Sequence, residues 1–166
     1  MGKENQAAAP DPQPIRPWPP ALVELYRTRR PDLVRLAYLM TGSAAIAEEV
    51  VQDAFVRVHP NWDGIRDPYP YVRASVANGC RSWGRHQNVV RLHDASQGDP
   101  EPTIDHPDEL WDALQQLDPQ RRAAVVLRFY EDLPHAEIGR ILGLRPTTVR
   151  TTIHRALREL RREVER

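Results

Sequence analysis

Apolar positions recur at three- and four-residue intervals over most of this chain, the spacing of amphipathic helices, and no stretch alternates as a strand would. Leu22, Leu25 and Tyr26 open the first stripe. Leu33, Leu36, Ala37 and Met40 continue it beyond Pro31, where a kink or restart is expected. Thr41-Gly42 predicts its end, because glycine readily adopts the left-handed cap conformation. Ser43 then predicts the N-cap of a helix over 44–58, with Ala47, Val50, Val51, Ala54, Phe55 and Val58 on its inner face. Glu48, Glu49, Gln52, Asp53 and Arg57 fall mainly on the other side. Pro60, Gly64, Pro68 and Pro70 predict a loop, and a third helix follows from about Tyr69 to His86.

A second helical block runs from Asp108 to Arg166. Leu110, Ala113, Leu114 and Leu117 predict a short helix. Asp118-Pro119 is a start signal, an N-cap followed by proline in the first turn, and Val125, Val126, Phe129 and Tyr130 continue the helix it opens. Leu133-Pro134 starts another, with Ile138, Ile141 and Leu142 facing inward and Gly143 at its end. Pro146 opens the last, with Val149, Ile153, Ala156, Leu157, Leu160 and Val164 on one apolar face.

The expectation is therefore an all-α chain of two small helical domains joined by an acidic flexible linker. The first domain is read over 21–87, the linker over 88–107 and the second domain over 108–166. Residues 1–20 are read as a flexible, disordered arm, since six prolines should deny it a helix or a sheet ladder, and Trp18 is its large apolar side chain, a candidate to dock.

Charge sharpens this division. The chain is formally neutral, with 23 basic and 23 acidic residues, which argues mildly against a nucleic-acid binder. The charges are segregated, however. Residues 145–166 hold seven Arg against three Glu, and residues 88–110 hold six acids against Arg91 alone. Different parts of the chain are expected to meet different partners. No stretch approaches the roughly 20 apolar residues of a spanning helix, and the start of the chain has no apolar signal region, so no membrane insertion and a cytoplasmic location are expected. Cys80 is the single cysteine. Neither C-x-x-C nor H-x-x-x-H occurs, nor a phosphate loop, nor a G-x-S-x-G elbow, so no metal, no cofactor and no enzyme activity is expected.

The sharpest motif is Pro134 to Leu160: a short helix, a turn at Gly143-Leu144 and a second amphipathic helix, the helix-turn-helix pattern. In that motif the second helix enters a major groove N-terminus first. Thr147, Thr148, Thr151 and Thr152 can bond bases or phosphates there, and Arg150 and Arg155 can fork onto guanine. The plain alternative is a solvated bundle helix, but four threonines, poor helix formers, need a reason. A second signal is Trp62, Tyr69, Tyr71 and Trp83 interleaved with Arg66, Arg73, Arg81 and Arg85, a mixture suited to unstacked bases and a single-stranded backbone. Taken alone, Trp62 and Trp83 fit core positions equally well.

These blocks, in this order, resemble the extracytoplasmic-function sigma factors. The resemblance runs through "LAYLMTGSAAIAEEVVQDAFVRV", "WDGIRDPYPYVRASVANGCRSWGR" and "LQQLDPQRRAAVVLRFYEDLPHAEIGRILGLRPTTVRTTIHRALREL", and the branch it suggests is an actinobacterial SigE-like group. It implies a transcription initiation factor that binds core RNA polymerase and reads −35 and −10 promoter DNA. The first block resembles region 2. There Glu49, Gln52 and Asp53 would dock on the polymerase clamp. Trp62, Asp63, Arg66 and Asp67 would lie in the pocket loop for a flipped non-template base, and Asn78, Arg81 and Arg85 would track the −10 strand. The second block resembles region 4, with Thr147, Thr148, Arg150, Thr151, Thr152, His154 and Arg155 on the −35 element. The implied partners are the polymerase clamp and flap, promoter DNA and an anti-sigma factor. The sequence departs from the family pattern at Ser82, Pro134, Gly139 and Arg145. Gly139, inside a helix, costs about 1 kcal/mol of propensity against alanine. The other reading kept open is a helix-turn-helix regulator that binds duplex DNA as a dimer. Such a regulator has no need of the aromatic-arginine loop or the acidic helix of the first block.

Overall fold

The computed structural model describes residues 16–93 and 109–165. Among them there are seven α-helices and no strand. The first lobe holds α1 (Pro20–Thr41), α2 (Ala44–Val58), a 3-10 turn (His59–Gly64) and α3 (Pro68–His93). The second holds α4 (Glu109–Gln116), α5 (Pro119–Phe129), α6 (His135–Leu142) and α7 (Pro146–Val164).

Local chemistry sets most of the boundaries. The Ser43 side chain accepts a bond from the Ile46 amide at 3.2 Å, and Asp118 accepts from the Gln120 and Arg121 amides at 3.0 and 3.4 Å. Gly42 and Gly143 end α1 and α6 with φ of 75° and 68°, values costly for any residue bearing a Cβ. Gly139 has a packing reason that offsets its poor propensity: a Cβ there would lie 2.4 Å from the Leu144 carbonyl, where the chain folds back from α6 towards α7.

Three expectations are corrected. Pro31 does not restart a helix, because α1 runs through it from Pro20 to Thr41. It and Arg27, whose carbonyl loses a partner, are both exposed, so water can take that carbonyl, while Leu22, Leu33 and Leu36 stay buried. Helix α3 runs on to His93, through residues read as the start of the linker, because no breaker occurs before Gly98. The rest of that linker, like most of the arm, lies outside the described residues. Finally, Leu157 and Val164, read on the apolar face of the last helix, are exposed, at 40% and 41%.

In the first lobe Phe55 meets Tyr26 edge-on at 4.9 Å, within a core that includes Leu22, Leu33, Leu36, Val51, Val72 and Val76. That core continues into Leu127, Ile138, Leu142 and Val149 of the second lobe. The lobes also meet through polar bonds. Arg73 on α3 pairs with Glu131 at 3.3 Å and Glu137 at 2.8 Å. Arg122 donates to the Met40 carbonyl at 2.9 Å, Gln115 donates to the Leu39 carbonyl at 3.1 Å, and Tyr38 stacks on Trp111.

Cys80 sits in this core, and burial pushes its thiol from an ordinary 9.0 up to about 12. Between those values the folded chain keeps a proton that the unfolded chain releases, so stability falls as pH rises through that window and is indifferent to this group below it. From pH 8 to 10.5 the loss should be about 2 kcal/mol. Denaturant midpoints should show that decrease, and it should shrink in Cys80→Ala. Equal slopes in the two proteins would rule out a buried neutral thiol.

Candidate nucleic-acid and polymerase interface

Helix α7 separates its two faces cleanly. Val149, Ile153, Ala156 and Leu160 are buried, while Thr147, Thr148, Arg150, Thr151, His154 and Arg155 are exposed and Thr152 is half-buried. An ion pair of 2.6 Å from Arg121 on α5 to Glu159 helps brace the helix. The Thr151 hydroxyl donates to the Thr147 carbonyl at 3.0 Å, which leaves its oxygen as an acceptor. The exposed face thus offers cationic forks and small hydroxyls along one edge.

On α2, Glu49, Gln52 and Asp53 are exposed and opposite the buried Val51, Phe55 and Val58. Glu48, from the same acidic run, is instead paired with Arg30 of α1.

Four of the seven proposed −10 residues, Asn78, Arg81 and Arg85 in one and Asp63 in the other, fall into two neighbouring sites. One is a groove of about 800 Å³ between α2, α3 and α6, whose walls include Asp53, Asn78, Arg81, Arg85 and Arg140. The other is a pocket of about 430 Å³ at the 3-10 turn, lined by Pro60, Asn61, Asp63, Gly64, Ile65 and Tyr71. Tyr71 lines both and is 51% exposed. Trp62 does not line that pocket: it is half-buried and packs on the first-lobe core, the plain alternative for it. Arg66 and Asp67 are exposed beyond the turn.

Arg81 is already engaged. It donates to the Leu142 carbonyl at 2.6 Å and to Asn78 Oδ1 at 3.1 Å. Burial first, and then the charge of Arg85, lowers its pKa from the ordinary arginine value. A phosphate reaching Arg81 therefore competes with the end of α6. Sequence reasoning missed Tyr71 as the shared wall and Arg140 as a groove residue. The Tyr71 signal lay in the aromatic-arginine run, whereas Arg140 reaches the groove only because the lobes pack together.

Among the described residues no helix is long and apolar enough to cross a membrane, and no cluster of His, Cys, Asp or Glu could hold a metal ion.

Two family descriptions match the chain in the order of its lobes: Sigma-70 region 2 over residues 25–88, and Sigma-70 region 4 over residues 108–160. The RNA polymerase sigma-E factor of Streptomyces avermitilis is 36% identical over 152 residues, 86% of this chain and 84% of that one. The ECF RNA polymerase sigma factor SigL of Mycobacterium tuberculosis is 33% identical over 153 residues, 82% of this chain and 85% of its own. This chain belongs to the extracytoplasmic-function sigma factors. The fold agrees: the sigma factor RpoE of Bartonella quintana, solved with the anti-sigma factor NepR, superposes with a TM-score of 0.68 at 16% identity, covering 87% of this chain and 97% of that one. The match of the first lobe to region 2 is what a dimeric regulator reading through its helix-turn-helix alone leaves unexplained.

Proposed function

We propose that this sigma factor acts in the cytoplasm as a non-enzymatic initiation subunit, with residues 21–87 on the polymerase clamp and −10 DNA and residues 108–166 on the flap and −35 DNA. The observation that carries the reading is the pairing of a region 2 lobe with a region 4 lobe whose last helix exposes Thr147, Thr148, Arg150 and Arg155 opposite its buried face. Arg150 and Arg155 suit bidentate contact with guanine in duplex DNA. The open groove with Asn78, Arg81 and Arg85, and the pocket at Asp63 and Tyr71, suit an unstacked strand. Because the Bartonella relative was solved bound to an anti-sigma factor, a protein of that class is the proposed regulator here. In vitro transcription with purified core polymerase and a pool of genomic promoters tests the role. Failure to direct specific initiation from any promoter would overturn it.

Clamp docking by α2 has its own test. Glu49, Gln52 and Asp53 form an exposed polar strip on a rigid helix, well placed to meet a basic partner surface. Asp53→Lys should weaken core binding by about tenfold or more, since like charges across an interface repel. Circular dichroism should be unchanged, because Asp53 is exposed and lies outside the buried face of α2. Unaltered affinity would remove Asp53 from the interface.

A further inference from the structure

The residues just before α1 lie outside the region 2 match, yet three contacts fix them to the 3-10 turn. Arg16 forms an ion pair with Asp63. His59 Nε2 lies 3.3 Å from the Pro17 carbonyl, which can only accept a bond. The Trp18 ring stacks on the His59 ring with centroids 5.3 Å apart and planes 9° from parallel.

Asp63 is therefore shared: the arm holds it, and it also lines the 430 Å³ pocket. An ionised carboxylate has two oxygens with about four acceptor sites, so it can take a guanidinium and a second donor together. The paired guanidinium fixes the direction of the group. Adenine, cytosine and guanine each offer such an acceptor an exocyclic amine, whereas the one ring donor of an extruded thymine, N3–H, lies between two carbonyl oxygens that repel a carboxylate.

We propose that Arg16 is a positioning residue for base selection: it aims Asp63 into the pocket so that an extruded base bearing an exocyclic amine is preferred over thymine, and Trp18 on His59 anchors the segment that carries it. This rests on the reading of the turn as part of the −10 site. The arm is then dispensable for polymerase binding but not for the choice of base.

The test uses holoenzyme assembled from the full chain and core polymerase, selecting from single-stranded oligonucleotides randomised across the −10 segment. The parent protein should enrich amine-bearing bases over thymine at one position. Arg16→Ala should lose about two- to fivefold of that enrichment, the range open to an exposed ion pair. Arg16→Lys should retain part of it, and Trp18→Ala should resemble Arg16→Ala. Melting temperature and core affinity should not move in any of these variants, and truncation to Ala21 should also keep core affinity. If Asp63→Ala flattens the preference and Arg16→Ala does not, the arm has no part in selection, although the pocket does. If Asp63→Ala leaves every position unchanged, the base is not read at this pocket and both readings fall.

Discussion

Arg73→Ala is expected to lower the melting temperature by about 10 °C and to loosen the two lobes from each other. Arg73 is only 9% exposed and sits between Glu131 and Glu137 of the other lobe, with its guanidinium 5.5 Å from the Tyr69 ring centre. Removing one partner of a buried ion pair leaves an uncompensated charge, a loss of about 3–5 kcal/mol. At the size of this chain each kcal/mol moves the midpoint by roughly 2–4 °C. The cause is separable from lost packing. Arg73→Met combined with Glu131→Met removes the guanidinium and the more buried of its two carboxylate partners, leaving only the more exposed Glu137; such replacements are often neutral or stabilising, so much of the loss should return. A second route reaches the same contact without touching charge. A Cβ on Gly84 would lie 2.9 Å from Pro119 Cγ, so Gly84→Val should also push α3 away from α5. Small-angle scattering should show a larger radius of gyration for both single variants. An unchanged melt and radius would mean that the lobes are not held by these groups in solution.

That contact shows where sequence reasoning succeeds and where it stops. Ser43, Asp118-Pro119, Gly143 and Pro146 are legible because a cap or a left-handed turn is decided by neighbouring residues alone. The apolar face of α2 is legible because a helical period repeats within a few turns. Arg73 read as one arginine in an aromatic-rich run, suited to nucleic acid, and its two acidic partners lie 58 and 64 residues away. No local pattern encodes such a pairing. Arg81 is a related case: its residue type fits a phosphate, but the Leu142 carbonyl already occupies it, 61 residues on. The exposure of Leu157 and Val164 was hidden for a different reason. An apolar residue near the edge of a stripe is sorted by the neighbouring helix, and roughly half of any protein surface is apolar in any case. The docking of Trp18 followed from nothing but its size in a proline-rich segment, and its partner, His59, carried no signal.

The second large effect separates duplex reading from strand reading. Arg150 is exposed on α7 beside Thr147 and Thr151, on the opposite side from buried Val149 and Ile153. A base-reading arginine is worth roughly 1–3 kcal/mol, so Arg150→Ala should weaken closed-complex binding about tenfold or more, and −35 substitutions should matter less to the variant than to the parent. The proposed −10 site should respond differently. Trp62→Ala is a poor probe, because Trp62 packs on the core of its lobe and its removal also costs stability. Tyr71 is the better residue, being half-exposed and shared by the groove and the pocket. Stacking of one base on an aromatic ring contributes about 1–3 kcal/mol, so Tyr71→Ala should leave closed-complex affinity intact and reduce promoter opening by about fivefold or more. Permanganate footprinting measures opening directly, and filter binding at low temperature measures the closed complex. Because Tyr71 lies outside the core, the variant should melt with the parent. Normal opening by Tyr71→Ala would remove the ring from strand capture. An Arg150→Ala variant that binds normally but opens poorly would overturn the assignment of α7 to duplex DNA.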